Sequence, residues 1–576
     1  MNESKVYECL YCGIPVAATT VALLDVLSPS TLERFSKTNQ SLPPIEFDNV
    51  SKECQNLSQG ISSIESQILR LQASMESLRK EQERLRERLE AYKPLIHPIR
   101  RLPDEVLAYV FRICVDMDVE ELQRKDSAYC QRYPGSLDTR KAPWVLGQIC
   151  RKWRLLALSL PQLWTVFDLD WRYDDLLWEY HQSLDVLLSI QLQRSRDQPL
   201  TVTYCGLRPS SSNTPRSSNG RLLLTLCSRS FQWSKATIRA DAESLQELSH
   251  YKGMFPYLTD LHVHFLYPGR IGWARARVNK SVFDTFFDTP KLRRLTITGY
   301  IEGLSDLSVR FPWAQITHYA VHNDTQWFAD LEDHFSALSQ MKNLEYCSLE
   351  TSIPSDGILI PSKSPALSHL HTLVLSHRHI EIEESAIDPL LDWLTLPSLR
   401  TLRLTCGLDS PSSLLSFIQR SQCTIEQLAI LRSVMDDGAL VRLLSADCFN
   451  HVHTLELGGT TPLDLVNISD TVIRALEVPS PTSTQSILVP RLRTLVLHDE
   501  KAWSDGVFLD MVTSRREVEK FNGTVARLER LVLQDAVSEG ENAIKDPEMV
   551  LCMEELCRSG LVFEARWTCD SEDYLY

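Results

Sequence analysis

The chain has little of what marks several large protein classes. Only 20 of its 576 residues are glycine, and it contains no phosphate-binding glycine-rich loop, HExxH helix or GxSxG elbow. Basic residues are outnumbered, with 60 Lys and Arg against 75 Asp and Glu. The formal net charge of -15 opposes binding to nucleic acid or to anionic lipid. These absences argue against the common enzyme classes and against a nucleic-acid-binding protein.

Long uncharged apolar runs are also scarce. The stretch from Cys9 to Leu24 comes near the roughly 18 to 20 residues that a membrane-spanning helix needs, but it contains Gly13 and Pro15. The residues before it lack the clear positive charge of a signal peptide. We therefore expect neither a membrane span nor secretion.

The 15 cysteines are odd in number and scattered, mostly among apolar residues. Such cysteines are typical of reduced thiols that fill a core, which favours a cytoplasmic or nuclear location. Cys9 and Cys12 have the CxxC spacing of zinc and redox sites, but no second pair follows to complete four ligands. We expect no metal and no cofactor.

Histidines at i, i+2 spacing would project from the same side of a strand, yet each pair supplies only two metal ligands. No carboxylate or cysteine lies at an obvious ligand spacing, so we interpret them as surface histidines. Cys448 and Asp447 near His451 likewise lack an orienting group or an oxyanion hole, and no catalytic residue is predicted. The pairs are His262 and His264, His369 and His371, His377 and His379, and His451 and His453.

A heptad repeat predicts one coiled-coil helix over residues 54–93, ended by Pro94 and Pro98. The stripe is compatible with a parallel homodimer, in which Gln82 fixes the register, and equally with packing on its own chain or with a solvated arm. Only Glu81 against Arg86 gives a clearly attractive g to e pair. Position a holds Ile61, Ile68, Met75, Gln82 and Leu89, and position d holds Leu57, Ile64, Leu71, Leu78, Leu85 and Tyr92.

Two amphipathic helical segments follow this boundary. Pro103 suits a first helical turn, Asp104 and Glu105 suit the positive end of the helix dipole, and apolar residues recur at helical spacing from Val106 to Phe111. A second apolar face runs over residues 144–157 and leads into a Pro-Gln-Leu-Trp sequence at 161–164.

Together the two segments resemble the F-box over residues 98–165, in particular the F-box-like proteins of mushroom-forming fungi, which often carry a coiled coil ahead of the box. The pattern is Leu-Pro-x-Glu-hydrophobic-Leu, a hydrophobic pair, then hydrophobic-Cys-x-x-Trp and a closing Leu-Trp, here Leu163 and Trp164. A charged insertion at 117–142 departs from this pattern. Such an insertion either forms a loop that leaves the box intact or weakens binding of the box to the Skp-type adaptor, the protein that F-boxes bind. The adaptor-binding residues that the resemblance implies are Leu102, Pro103, Glu105, Leu107, Val110, Phe111, Ile149, Cys150 and Trp153.

A short motif, hydrophobic-x-x-hydrophobic-x-hydrophobic, then recurs mostly every 24 to 29 residues, from Leu258 to Leu533, with a degenerate copy at Trp233. Its alternating end is typical of a strand, and helix-like pieces lie between copies. The array resembles leucine-rich repeats, whose stacked units share one core. The predicted fold is therefore α/β: a coiled-coil helix, a small helical F-box and a leucine-rich-repeat-like solenoid.

The predicted organisation is a poorly ordered leader at 1–53, the coiled coil at 54–93 and the box at 98–165. Residues 166–229 are predicted to form a linker and the start of the solenoid, with a Ser-rich loop at 209–220. The solenoid follows at 230–540 and a tail or cap at 541–576.

The F-box resemblance implies a non-catalytic subunit that binds a Skp-type adaptor and, through it, cullin and RING subunits of a ubiquitin ligase. The alternative is a scaffolding protein with a vestigial box. A target protein, which the sequence does not identify, would bind the strand side chains that point away from the core, because that face carries the variable positions. The candidates are His262, His264, Arg403, Leu431 and Glu456, with an apolar set in Val374, Ala429, Leu431, Val496 and Val532.

Overall fold

In the computed structural model the chain divides into two compact units, Met1–Val106 and Leu107–Tyr576. The residues that the structure describes are 6–8, 15–17, 27–38, 40–124, 135–170, 181–205, 217–240, 245, 248–265, 285–299, 311–322, 331–350, 365–376, 387–405, 408, 411–431, 435–458, 468–480, 486–498, 503–521, 523–534 and 547–566.

The first unit contains more regular structure than a poorly ordered leader would. Strands β1 (Val6–Glu8) and β2 (Pro15–Ala17) pair antiparallel. Helix α1 (Pro29–Ser36) is capped by Ser28, whose hydroxyl accepts from the Thr31 amide at 3.3 Å. Helix α2 (Pro44–Ile96) has 53 residues and begins ten residues before the predicted coil. It continues through Pro94, which lies in its last turn and removes a single backbone hydrogen bond there, and ends before Pro98.

Helix α3 (Asp104–Arg124) spans the boundary between the two units. In the second unit, α4 (Leu146–Ile149) and α5 (Arg151–Ser159) form the second half of the box-like segment. The later helices are α6 (His181–Ser195), α7 (Ser217–Cys227), α8 (Leu331–Gln340), α9 (Asp388–Trp393), α10 (Pro411–Ser421), α11 (Asp437–Leu444), α12 (Asp470–Leu476), α13 (Asp505–Arg516) and α14 (Pro547–Arg558).

Fourteen strands of the second unit form one parallel sheet, in which neighbours in space are neighbours in sequence. They are β3 (Val166–Asp170), β4 (Leu200–Cys205), β5 (Trp233–Ala240), β6 (Asp260–Phe265), β7 (Arg294–Thr298), β8 (His318–His322), β9 (Tyr346–Glu350), β10 (Thr372–Ser376), β11 (Thr401–Thr405), β12 (Gln427–Leu431), β13 (Thr454–Gly458), β14 (Thr494–His498), β15 (Arg530–Gln534) and β16 (Val562–Arg566).

The repeated motif accounts for this sheet. In β11, Leu402 and Leu404 point into the core and are fully buried, while the residues between and beside them are half-buried on the other face. The register aligns Leu402 with Leu373 of β10 and with Leu428 of β12, so leucines of successive repeats stack in rows. The predicted leucine-rich-repeat-like α/β solenoid is confirmed.

The sheet is longer than the predicted array of 230–540. Strands β3 and β4 precede it, within the segment predicted as a linker and the start of the solenoid. Strand β16 follows it, paired with β15, within the segment predicted as a tail or cap. Helix α7 begins at Ser217, inside the segment 209–220 that was predicted to be a loop. The rest of that segment lies outside the described residues. No helix among the described residues is long and apolar enough to cross a membrane.

Candidate functional site

Helix α3 is apolar on two opposite faces. Leu107, Phe111 and Val115, spaced one turn apart, are buried. On the opposite side Tyr109 and Ile113 are exposed, although both carry large apolar side chains. Met117 continues this exposed row by another turn and is exposed as well. An exposed apolar row of this kind on a well-packed helix marks a surface where another protein binds.

The second half of the box-like segment packs on the buried face of α3. The rings of Phe111 and Trp153 lie 4.9 Å apart and tilted, a favourable aromatic geometry. The Cys150 thiol caps α5 by accepting from the Trp153 amide at 3.5 Å. The indole of Trp164 donates to the Ala157 carbonyl at 2.9 Å, which ties the closing Leu-Trp sequence to α5. Trp153 therefore packs the second half on α3, whereas Cys150 caps α5 and Trp164 fixes the turn that follows it.

The structure divides the predicted adaptor-binding set. Leu107 and Phe111 are fully buried, so their side chains stabilise the fold and are not accessible to an adaptor. Leu102, Val110 and Trp153 are half-buried, and Pro103, Glu105, Ile149 and Cys150 are exposed. The sequence reasoning missed the exposed apolar residues Tyr109, Ile113, Met117, Leu155 and Leu158. For Tyr109, Ile113 and Met117 the signal was the second apolar row on α3, where an amphipathic helix normally has polar residues.

The insertion at 117–142 is closed at its base. The Asp118 carboxylate, on α3, accepts from the Ala142 amide at 2.8 Å, so the first and last residues of the insertion lie together. Residues 125–134 lie outside the described part of the chain. The two halves of the box-like segment are thus connected by a hydrogen bond as well as by the Phe111 and Trp153 contact.

The end of the insertion packs on β3, the strand at one edge of the sheet. The Ser136 hydroxyl accepts from the Asp168 amide at 2.9 Å and lies 3.3 Å from the Asp168 carbonyl, to which it donates. Gly135 has a φ of +50°, and a Cβ there would lie 2.1 Å from that same carbonyl oxygen. Only glycine fits this close approach, so the described end of the insertion from Gly135 onward packs on the edge of the sheet.

An arginine joins the box-like segment to the first repeat. The guanidinium carbon of Arg194, on α6, lies 4.8 Å from the Trp144 ring and 4.4 Å from the Trp164 ring. The two indoles meet edge to face at 5.1 Å. Burial lowers the pKa of Arg194 from its ordinary value. The cation–π contacts make the second half of the box and the start of the solenoid one packed body.

On the face of the sheet that points away from the core, three charged or titratable residues form a network. Glu456 on β13 lies between Arg403 of β11, whose Nη1 donates to Oε2 at 2.5 Å, and His498 of β14, whose Nε2 is 2.6 Å from Oε1. Burial alone would raise the pKa of Glu456, but the hydrogen bond with His498 and the charge of Arg403 outweigh it and lower that pKa. Glu456 is therefore ionised at neutral pH, and the partly exposed Arg403 guanidinium is the accessible part of the network.

The other predicted target-binding residues differ in accessibility. His262 is half-buried, with Nε2 2.7 Å from the Thr298 hydroxyl, and His264 is half-buried as well. Leu431 is 1 % exposed, so the prediction that its side chain contacts a partner is not supported. Ala429 and Val532 are also buried, which leaves only Val374 and Val496 partly accessible from the predicted apolar set.

Within the described part of the chain, no group of three or more His, Cys, Asp or Glu side chains is placed to hold a metal ion. His369, His371, His451 and His453 are among the residues described, whereas His377 and His379 lie outside them. Cys448 is half-buried, and burial raises the pKa of its thiol, which opposes its use as a nucleophile.

No model of a known protein family matches the chain, and no curated protein matches it. Among solved structures, a yeast complex of Rad7 and Elc1 is similar at a TM-score of 0.29 and 14% identity, covering 66% of this chain and 87% of the other. A protein from Bacteroides fragilis is similar at a TM-score of 0.25 and 10% identity, covering 67% of this chain and 82% of its own. Both TM-scores are too low to bear on function.

Proposed function

We propose that the chain is a non-catalytic substrate-recognition adaptor of a Skp-cullin-F-box-type ubiquitin ligase. In this proposal the box-like segment binds a Skp-type adaptor, and through it the cullin and RING subunits, while the repeats bind a target protein. The observation that carries the proposal is the exposed apolar row on α3, which lies on a helix whose other face is fully packed. The proposal places the chain in the cytoplasm or nucleus.

Two features support a functional box. The motif residues Phe111 and Trp153 form the contact that joins its two halves, so the insertion does not separate them. The hydrogen bond from the Ala142 amide to Asp118 brings the two ends of the insertion together, and Ser136 binds Asp168 of β3 at the edge of the sheet. An adaptor-binding face formed by Tyr109 and Ile113 therefore remains free of the insertion's described residues.

The packed junction around Arg194 gives the repeats a fixed position relative to the second half of the box. In a ligase subunit, a fixed position would hold a bound target at a defined distance from the adaptor. We place the target on the face of the sheet that points away from the core, where the Arg403, Glu456 and His498 network presents a guanidinium held by a half-buried carboxylate. Such a pre-oriented cation suits an acidic or hydrogen-bond-accepting group of a target.

The test is capture of a purified Skp-type adaptor by the full chain. Tyr109→Asp with Ile113→Asp should weaken capture by more than about 20-fold, because charges in a buried apolar contact remove hot-spot interactions of about 2 kcal/mol or more. The matched control is Tyr257→Asp with Val186→Asp, two exposed apolar residues of the solenoid. It should bind like the unmodified chain.

Far-UV circular dichroism and the urea midpoint establish that each variant is folded. No binding by the unmodified chain would contradict the ligase proposal and favour a scaffolding protein with a vestigial box. Equal binding by both double variants would leave the ligase role standing but remove this face of α3 from it.

A further inference from the structure

Helix α2 carries a long apolar stripe that is exposed over most of its length. Every residue of α2 is described, and none is buried. Among its large apolar a and d side chains, Val50 and Leu57 are half-buried, and the others range in exposure from 41 % at Ile64 to 67 % at Leu78. A helix of this length that packs on nothing would gain no stability from its apolar face, which is how most protein helices are stabilised.

The stripe is longer than the predicted coil. Because α2 begins at Pro44, the same heptad register takes in Phe47 at a, Val50 at d and Cys54 at a. We call the 14 a and d residues from Phe47 to Tyr92 the seam. Between these two ends Leu69 is the only large apolar side chain off the seam. Seven a and seven d positions in one continuous register are typical of a coiled coil.

We propose that the seam is occupied by a second copy of this chain, parallel and in register. Ile61 and Ile68 at a with leucine at most of the central d positions favour two parallel strands. A stable interface buries about 800 Å² per partner, which requires roughly 60 Å² from each of the 14 seam residues. Half-exposed Leu and Ile side chains can supply that area.

Gln82 decides between the two orientations. In a parallel, in-register pair it faces Gln82 of the second copy, and the two amides can hydrogen-bond. In an antiparallel pair centred on the seam it faces Leu57, and each amide is left against an apolar side chain without a partner. A single polar residue at an a position is a known way for a coiled coil to fix its register.

The flanking g and e positions of a parallel pair give one attractive and one repulsive charge pair, and the other pairs do not bring two charges together. Glu81 at g faces Arg86 at e of the second copy, an attractive pair. Arg88 and Lys93 form one repulsive pair, but it lies in the last heptad, and Lys93 is already paired with Glu90 of its own helix. The balance of charge therefore does not oppose the parallel dimer.

Cys54 is a reporter that the chain already contains. It is an exposed free thiol at an a position, so a parallel, in-register dimer places two Cys54 residues across the seam. Their separation then approaches the roughly 4.4–6.8 Å between Cα atoms that a disulfide requires. In an antiparallel pair centred on the seam they would lie about 46 Å apart, at 1.5 Å per residue.

The experiment uses the purified full chain. Sedimentation equilibrium should give the mass of two copies, and mild oxidation by diamide, which accepts the two electrons and two protons of the thiols, should give a covalent dimer. Cys54→Ser should lose the cross-link and keep the dimer mass. Cys150→Ser with Cys552→Ser, which removes the other exposed described thiols, should keep both.

Ile68→Asp with Leu71→Asp should reduce the mass to that of one chain. The matched control is the single variant Leu69→Asp. Leu69 is 65 % exposed but lies off the seam, so this variant should remain a dimer. A monomeric or trimeric unmodified chain would overturn the proposal, and so would a dimer that Cys54 does not cross-link. Adaptor capture by the box is measured separately, so failure here leaves the proposed function untouched.

Discussion

The seam of α2 and the strands of the solenoid use the same kinds of side chain in opposite surroundings. Leu402 and Leu404 of β11 are fully buried, whereas Leu71 and Leu78 of α2 are more than half exposed. Each strand between the two edges of the sheet is covered by the repeats on both sides of it, so the chain completes its own core there. A single helix has no such neighbour, and its apolar residues are buried only when another helix arrives.

The charges of the two regions differ in the same way. In α2, Glu81 and Arg84 lie 3.2 Å apart with both side chains largely exposed. In the solenoid, Arg515 of α13 is fully buried and donates to the carbonyls of Leu476, Leu488 and Val489 at 2.6–2.9 Å. Repeat stacking therefore encloses polar groups as well as leucines, and those groups must be satisfied within the chain.

The largest expected effect is at Arg515. Arg515→Met should lower the free energy of unfolding by about 4 kcal/mol, because three buried carbonyls lose their donor at roughly 1–3 kcal/mol each, partly offset by the removal of a buried charge. Burial lowers the pKa of Arg515 to about 10, so it is protonated at neutral pH. Urea unfolding followed by tryptophan fluorescence measures the change, since all 12 tryptophans lie after residue 106.

Arg84→Met is the matched control in α2. Its ion pair is exposed and isolated pairs of this kind contribute little, so the fluorescence transition should not move. A loss below about 1 kcal/mol for Arg515→Met would mean that water or neighbouring groups replace the guanidinium, and the contrast between the two regions would then not extend to charge.

A matched pair of leucines tests the comparison directly. Leu402→Ala should cost about 3 kcal/mol in the same urea experiment, because the deleted side chain leaves a cavity between two packed repeats. Leu71→Ala should leave that transition unchanged and make dimer formation weaker, which sedimentation at several protein concentrations detects. Equal shifts of the fluorescence transition for the two variants would contradict the conclusion that Leu402 is buried by its own chain and Leu71 only by a second helix.

Most of the solenoid could be predicted because its leucines recur in register with the repeat. β3 fits the same motif with Trp164, Phe167 and Leu169, but Trp164 also closes the box-like pattern, so the sequence assigned it there. β16 has Phe563 and Ala565 at the inward positions and no apolar residue three positions ahead of Phe563, where Gly560 stands. β16 is identified as a strand of the sheet by its parallel pairing with β15, because its sequence lacks the first apolar residue of the motif.

The candidate site was less predictable, for two physical reasons. Helix α3 is apolar on both faces, and periodicity alone does not say which face the rest of the fold covers. On the sheet, alternation correctly predicts which residues point outward, but outward side chains of neighbouring strands also pack on one another. Leu431 points outward and is buried, while Glu456 is half-buried beside the two residues that it binds.

The smallest expected effect concerns Glu456 and depends on pH. The folded state lowers the pKa of this carboxyl, because His498 and Arg403 together outweigh the effect of burial. Its contribution to stability is therefore complete above the ordinary carboxyl pKa of about 4.3 and is lost as the pH falls through the lower, folded pKa. Glu456→Gln should cost about 1–2 kcal/mol at pH 7, where two charge-assisted hydrogen bonds are replaced by weaker ones.

The difference in unfolding free energy between the unmodified chain and Glu456→Gln should shrink as the pH is lowered below about 4, because protonation gives the unmodified chain a neutral side chain too. Glu426→Gln is the control, since Glu426 pairs with Arg400 at 3.4 Å with both side chains more than a third exposed, and its cost at pH 7 should be smaller. A difference for Glu456→Gln that stays constant down to pH 3 would show that the loss reflects altered packing around Ala429 and His498. In that case the charge of Glu456 would not be what holds the network together, and the Arg403 guanidinium would lack the fixed orientation on which its proposed role in target binding depends.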